Sequence, residues 1–367
     1  KSRSSGGIWG DPEVVDYDVG SVDGWDRGQS QLGYDDVGQP HVIALLDGVV
    51  RHYIRVSEGW VLHEDYVLRG LDEDTNIANY PWSREYLAFA MDADGYVHLA
   101  VNIGAGLYYV TNRGGSFAAQ RVGDFKFFVH YDSSGDLIGY DANNFYHSFQ
   151  VYPRFLSIAV DASKYAHISY CPEFSSYYDV GGTIRGQSSY YYATNKEQSL
   201  GQWLVERIST PQDSSADAGW GGSIAINPVT DRPAIASLYI ERVDTGSSVG
   251  AKLLFHERDG DRWNTSVVSS ISDGYLAGDG ERGTGFSPML KYDQSGVPHI
   301  LFSDYASQHF GPAEDEFSGQ IRHAVKTNSG GWDIVTIYRQ SDPLRNEVLY
   351  PGFDVYNHEF SYVAMLE

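Results

Sequence analysis

The stretch MDADGYVHLAV, residues 91–101, returns along the chain, and its return limits the fold more than any other feature. Asp35, Gly38 and His41 in YDDVGQPHVIALL share one spacing with Asp92, Gly95 and His98, and with Asp293, Gly296 and His299 in YDQSGVPHILF. Weaker copies are YDSSGDLIGY around Asp132 and Gly135, VDASKYAHISY with Asp161 and His167, INPVTDRPAIAS around Asn227, and FDVYNHEFSYV with Asp354 and Asn357. Each joins an apolar run of strand length to a polar turn and a second alternating run, the pattern of a β-hairpin. Gly, or Asn in the last copy, supplies the positive φ of the turn, and the leading Asp can accept bonds from the turn's own amides.

A second motif follows most copies: SEGW ending at Trp60, NRGGSF at Phe117, LGQW at Trp203, GDRW at Trp263 and SGGW at Trp332. It reads as another hairpin turn before a strand that starts with an aromatic residue. The unit is therefore four strands, and seven of them predict an all-β, seven-bladed β-propeller occupying residues 1–367 as a single domain. GGIW at Gly6–Trp9 is a second motif with no first motif before it, and the final first motif, Phe353–Glu367, has no second motif after it. The expected ring is thus closed by the N-terminal strand in the last blade, which would remove exposed edges. The stretch between Phe125 and Tyr152 looks cut down, so six blades plus an irregular insertion is the alternative. His41, His98, His167 and His299 fill one repeated slot. A residue needed in every unit is explained by the geometry of the unit, whereas a catalytic site is needed once.

Charge and composition narrow the partners. The formal net charge of −23 argues against nucleic acid, whose phosphates need a basic face. It suits a soluble monomer. No apolar run is long enough for a membrane span. The first residues lack a signal-peptide pattern, but a start at Lys1 without Met fits a secreted chain, extracellular or periplasmic, after removal of a leader. With one cysteine, Cys171, there is no intrachain disulfide, and a buried thiol is expected. Aromatics at 14%, including 28 Tyr, favour strands and a large core.

If repeated residues build the scaffold, singular segments are free for ligands. CPEFSSYYDVGGTIRGQSS carries Glu173, Tyr177, Tyr178, Asp179 and Arg185, with Tyr190 just beyond. DYASQHFGPAEDEFSG carries His309 and Glu314, Asp315 and Glu316; GLDEDTNIANYPWSREY carries Trp82 and Arg84; SISDGYLAGDGERGTGF carries Asp279, Glu281 and Arg282. All four read as long loops. NNFYHSFQVYPRF adds His147, Tyr152 and Arg154, and His147 fits no repeat slot, so it is either core or site. Tyrosine-rich segments with Arg and carboxylates suit sugars, because aromatic faces stack on pyranose CH groups and polar groups fix hydroxyls.

NYPWSREYLAFAMDADGYVHLAVNIGAGLYYVTN followed by VYPRF resembles the seven-bladed BNR-type propellers that include ulvan lyases and rhamnose-glucuronate lyases, and KTNSGGW is similar to a degraded sialidase Asp box. The resemblance implies a polysaccharide lyase that cleaves uronate-containing glycans by β-elimination. The lyase Tyr-Pro position is kept at Tyr152, but the family's histidine positions fall at Ala78 or Arg84 and near Gly104, and its later arginine falls near Tyr170. Either the catalytic set has moved or the chemistry was lost.

Three functions compete. A lyase needs a cation on the uronate carboxylate and a proton acceptor at C5, for which His147, Tyr152 and Arg185 are the candidates, with Tyr190 in reserve. Substrate contacts would come from Trp82, Arg84, Arg154, Tyr177, Tyr178, Arg282 and His309. A non-catalytic glycan- or protein-binding role is the alternative. A glycoside hydrolase, using two of Glu173, Asp179, Glu281 and Glu314, is a further one. No cofactor is required by any of them. Calcium at LDEDTN or PAEDEF is a candidate ligand without regular spacing.

Overall fold

The computed structural model describes residues 29–46, 48–68, 86–103, 106–124, 126–127, 156–178, 184–196, 203–209, 216–242, 248–275, 281–310 and 314–339, with positions 15 and 71. These residues form strands and their turns only, in two compact units, Lys1–Gly123 and Asp124–Glu367. Among them no helix is long and apolar enough to cross a membrane.

The first unit holds two sheets. Sheet 1 is β1 (Gln29–Tyr34), β2 (Pro40–Leu46), β3 (Val49–Val56) and β4 (Gly59–Val67). Sheet 2 is β5 (Tyr86–Met91), β6 (Val97–Ile103), β7 (Gly106–Thr111) and β8 (Ala118–Asp124). The second unit holds three. Sheet 3 is β10 (Ser157–Val160), β11 (Ala166–Tyr178), β12 (Ile184–Thr194) and β13 (Leu204–Ser209), with the short β9 (Lys126–Phe127) parallel to β11. Sheet 4 is β14 (Ala216–Ile226), β15 (Pro233–Arg242), β16 (Ser248–Asp259) and β17 (Arg262–Tyr275). Sheet 5 is β18 (Glu281–Tyr292), β19 (Pro298–Phe310), β20 (Glu314–Lys326) and β21 (Trp332–Arg339). In every sheet the four strands lie side by side in chain order.

The four-strand unit is as the two motifs require, but the closed ring is not found. The described residues form five separate sheets, and nothing among them closes these into a propeller of seven blades, or of six. The physical reason is range. A turn motif and its flanking alternation dictate local antiparallel pairing, and they carry no information about what joins the first sheet to the last. The copies around Asp132 and Asp354, and the proposed closing partners around Trp9 and Tyr362, lie outside the described residues.

Within each unit, consecutive sheets meet through their first strands by a rule four residues before the turn. Gln31 Oε1 accepts the Phe89 amide at 2.9 Å, Ser157 Oγ accepts the Ile224 amide at 3.1 Å, and Ser223 Oγ accepts the Leu290 amide at 3.1 Å. Each acceptor stands four positions before its own turn Asp or Asn, and each amide three positions before the next sheet's. Aromatic packing repeats as well. The second-motif residue of one sheet meets the third-strand ring of the sheet before: Phe117 meets His52, Trp263 meets Tyr192 at 5.1 Å, and Trp332 meets Phe255 at 5.2 Å, each edge-on. Apolar clusters fill the same junctions, Ile43, Leu45, Leu99 and Val101 between sheets 1 and 2, and Leu253, Phe255, Ile300 and Phe302 between sheets 4 and 5. Cys171 is buried with Tyr190, Tyr192, Ile224 and Ile235 between sheets 3 and 4.

The turns explain the Asp. Asp92 Oδ1 accepts the amides of Asp94 and Tyr96 at 3.0 and 2.9 Å, and Asp35 and Asp293 do the same for their own turns. Gly38, Gly95 and Gly296 have φ between 80° and 83°, and Lys164 holds the equivalent position at 69°. A side chain in that conformation costs about 1–2 kcal/mol. Lys164→Gly is therefore expected to stabilise the second unit by about 1 kcal/mol, since the relief of strain exceeds the flexibility gained by the unfolded chain. A urea midpoint that stays put or falls would show that the turn carries no such strain.

Candidate functional site

The most conspicuous chemistry lies inside the sheets. His98 is fully buried, its Nε2 3.2 Å from Asp92 Oδ2 and its Nδ1 2.6 Å from the Tyr109 hydroxyl. His167 repeats this with Asp161 at 3.3 Å and Tyr192 at 2.6 Å. The carboxylate takes the Nε2 proton, so Nδ1 accepts from the tyrosine. In sheets 1 and 5 a second histidine replaces the tyrosine: His41 Nδ1 lies 2.8 Å from His52 Nε2, and His299 Nδ1 lies 3.0 Å from His323 Nε2. In sheet 4 the slot holds Ala234, and Phe255 occupies the facing position without a polar partner to satisfy. Burial pushes His41, His98 and His167 below the usual imidazole range, and the neighbouring carboxylate only partly offsets this. Buried in sheets 1, 2 and 3 and repeated, these relays hold the hairpin to the third strand.

Their third-strand members were missed by the sequence reading. Tyr109, Tyr192, His52 and His323 each stand in register opposite the residue two beyond the slot histidine. A signal existed for two of them. YVTN at 109–112 and YATN at 192–195 share a frame in which Thr111 and Thr194 donate to the Val97 and Ala166 carbonyls, while Asn112 and Asn195 accept the amides of those same residues.

Electrostatic links join sheet 3 to sheet 4. Arg258 donates to both Glu206 oxygens, at 2.7 and 3.3 Å, and lies over the Tyr192 and Trp263 rings, while Trp263 Nε1 also donates to Glu206. Burial alone would raise the Asp161 pKa, but hydrogen bonds from His167, Lys196 and the Tyr165 amide outweigh it and hold the carboxyl well below its ordinary range. Lys196 Nζ also reaches Asp231 Oδ2 at 3.5 Å.

Where they are described, the singular segments sit at the ends of the strands opposite the Asp turns, and several are strand where loops were expected. β11 runs on to Tyr178 and β12 starts at Ile184, so Tyr177, Tyr178 and Arg185 lie on a β-ribbon, with Tyr177 directly across from Arg185. Among the described residues β10 pairs with β11 as far as Ser169 and β13 with β12 from Tyr190 onward; from Glu173 to Tyr178 β11 pairs with β12, and β9 joins it at Glu173 and Phe174. Arg282 lies on β18 opposite Ala306, and His309 on β19 opposite Asp315. Tyrosine-rich alternation has high β propensity, which is why these segments extend the sheet.

Tyr190 is placed differently. It is fully buried, its hydroxyl donates to Ser169 Oγ at 3.2 Å, and burial pushes its pKa up. A Cβ at Gly222 would collide with its ring, so the glycine makes room for it. His147, Tyr152, Arg154, Trp82 and Arg84 lie outside the described residues. So do most of LDEDTN and the first two residues of PAEDEF; among the described residues no three His, Cys, Asp or Glu side chains are grouped to hold a metal ion.

No protein-family model and no curated protein matches the chain. Among solved structures it is similar to a crystal structure of the polysaccharide lyase Uly1, with 9% identity over 87% of this chain and 82% of that one and a TM-score of 0.41. It is also similar to a putative 6-phosphogluconolactonase from Bacteroides fragilis, with 10% identity over 86% and 81% and a TM-score of 0.34. Likenesses this distant carry no argument about chemistry. The lyase identity implied by the sequence resemblance is thus unsupported, as is the BNR-propeller family; what stands is an all-β chain with weak similarity to a lyase.

Proposed function

We propose that this protein binds carbohydrate without turning it over, using the far strand ends of its second unit, where β11 and β12 pair from Glu173 to Tyr178. The observation that carries the reading is the register of Tyr177 against Arg185 where β11 and β12 pair with each other. An aromatic residue and a guanidinium at directly opposed positions supply the two halves of sugar recognition, a stacking face and hydrogen-bond donors for hydroxyl or carboxylate oxygens. Arg282 and His309 stand at the corresponding strand ends of sheet 5 and are candidates for further contacts. The acidic charge fits a soluble monomer and speaks against a nucleic-acid partner, and a carbohydrate-binding role suits an extracellular or periplasmic location.

The test is calorimetric titration against a panel of neutral and uronate-containing polysaccharides, with ultraviolet absorbance followed in parallel for unsaturated uronate products. Binding without an absorbance rise is expected. Tyr177→Ala and Arg185→Ala should each weaken it about tenfold or more, about 1.4 kcal/mol, with the unfolding midpoint kept. Retention of no polysaccharide, or two variants that bind like the parent, would overturn the reading.

A further inference from the structure

Sheet 1 contains a histidine arrangement that differs in kind from the His–Tyr relays. His41 and His52 are both buried and joined nitrogen to nitrogen at 2.8 Å. A third imidazole, the exposed His63 on β4, stands edge-on to His52 with ring centres 5.3 Å apart. Three strands in a row therefore bring three imidazoles together. The carboxylate facing them is Asp35, with Oδ2 3.6 Å from His41 Nε2.

Counting protons shows what is incomplete. His41 Nδ1 and His52 Nε2 share one proton, and both outer nitrogens, His41 Nε2 with Asp35 Oδ2 3.6 Å away and His52 Nδ1, are buried without a hydrogen-bond partner. In sheet 2 both His98 nitrogens are bonded, and in sheet 3 the tyrosine hydroxyl ends the chain, so that only the outer His167 Nε2, 3.3 Å from Asp161 Oδ2, lacks a hydrogen bond. The His299–His323 pair of sheet 5 is partly exposed, so a proton there stays within reach of water.

The same cluster forms the joint to sheet 2. The Phe117 ring meets His52 with centres 6.4 Å apart. Glu64 on β4 is already committed to this joint, since Oε1 accepts the Phe117 amide at 2.9 Å and Oε2 faces Asn112 Nδ2 at 3.5 Å. β5 contributes apolar Phe89 and Met91 to the adjoining cluster. Among the described residues, Asp35 and His63 are therefore the titratable groups that act on the pair, with Glu64 held behind Phe117.

We propose that the His41–His52 pair is an acid-released latch: neutral, it seats sheet 1 against Phe117 of sheet 2, and opening of the sheet takes up two protons that the closed form excludes. Burial, followed by repulsion from His41 and His63, holds His52 down at about 3, and burial lowers His41 despite Asp35. Both groups are depressed in the closed form. The latch is thus fully stabilising above the free imidazole range and weakens as pH falls through it. Each proton taken up on opening adds a factor of about 10 per pH unit, so the opening constant of sheet 1 should climb by up to about 100-fold per unit, against about 10-fold for the single-histidine relay of sheet 3.

Amide hydrogen exchange on the full chain from pH 7.5 to 5, corrected for the intrinsic rate, reads this directly. Protection in β3, β4 and residues 113–119 should fall about tenfold further than protection in β11 and β12 over the first unit of acidification below the imidazole range. His52→Tyr, which rebuilds the His98–Tyr109 arrangement, should bring the sheet 1 slope down to that of sheet 3. His63→Gln, at an exposed site, removes a charge that repels a proton from His52, so it should leave the onset of the steep region in place and end that region at higher pH. Equal slopes for the two sheets in the parent chain would overturn the proposal. If His52→Tyr fails to fold, the comparison of the two slopes in the parent chain decides alone.

Discussion

Tyr192→Ala should cost the second unit about 3–5 kcal/mol, the range for deleting a fully buried aromatic side chain. Three interactions are lost together. The ring is enclosed by Trp263 edge-on and by the Arg258 guanidinium, and the hydroxyl ends the relay from Asp161 through His167. The deletion would leave Arg258 and Glu206 facing a cavity at the joint between sheets 3 and 4. Tyr192→Phe separates packing from polarity: it keeps the ring, removes the donor to His167 Nδ1, and should cost about 1–3 kcal/mol, the penalty for one stranded buried acceptor. Urea unfolding of the full chain measures both. The ordering Ala below Phe below parent is expected, and a Phe variant equal to the parent would mean that the relay contributes nothing beyond its rings.

The second large effect is acid lability well above the carboxylate range. His52 is held at about 3 and His256 at about 4, both chiefly by burial, against 6.5 for a free imidazole. His256 is sealed between Ser237 Oγ at 2.9 Å and Thr265 Oγ1 at 2.8 Å, with no carboxylate among these contacts to favour its charged form. A base whose folded pKa is depressed gives its full stability above the unfolded value. That stability is lost as pH falls between the unfolded and the folded values, because the unfolded chain takes the proton first. At pH 5 the loss is about 2 kcal/mol for each of these two groups. His41, His98, His167 and His323 are shifted in the same direction and add to it. Asp161 works from the other side: its depressed carboxyl stabilises above the ordinary carboxylate range and contributes to the loss only at lower pH. Thermal midpoints at pH 7.5, 6.5, 5.5 and 5 should therefore fall steadily in a region where carboxylates alone would leave them flat. A level profile would contradict the neutral, buried assignment of these histidines.

The parts of the fold that the sequence made legible are those built within one hairpin. Asp92, Gly95 and His98 fall where the repeat places them, and the positive φ at Lys164 follows from its alignment with the glycines. Trp332 begins its strand and Trp263 is the second residue of its own, the first large apolar position, as the second motif requires. What was hidden depends on longer range. The partner of each slot histidine comes from the third strand, fixed by a register that a single sequence does not display. Tyr190 was grouped with the site because it ends a tyrosine-rich segment, yet the two-residue period sends positions 190 and 192 into the core, and Gly222 of the next sheet is shaped to receive Tyr190. The extension of β11 and β12 was masked by small polar residues that read as loop, although their pairing is continuous from Glu173 to Tyr178. Ring closure was inferred from the two ends of the chain, and no hairpin signal bears on it.

The account divides recurring residues, which hold the sheets, from singular ones, which meet ligand, and glycan affinity measured side by side for Tyr192→Phe and Arg185→Ala tests that division most directly. Tyr192→Phe should lower the unfolding midpoint and bind the glycan as the parent does. Arg185→Ala should keep the midpoint and bind about tenfold more weakly. The reverse pattern, with affinity lost at the buried tyrosine and kept at the ribbon arginine, would contradict it.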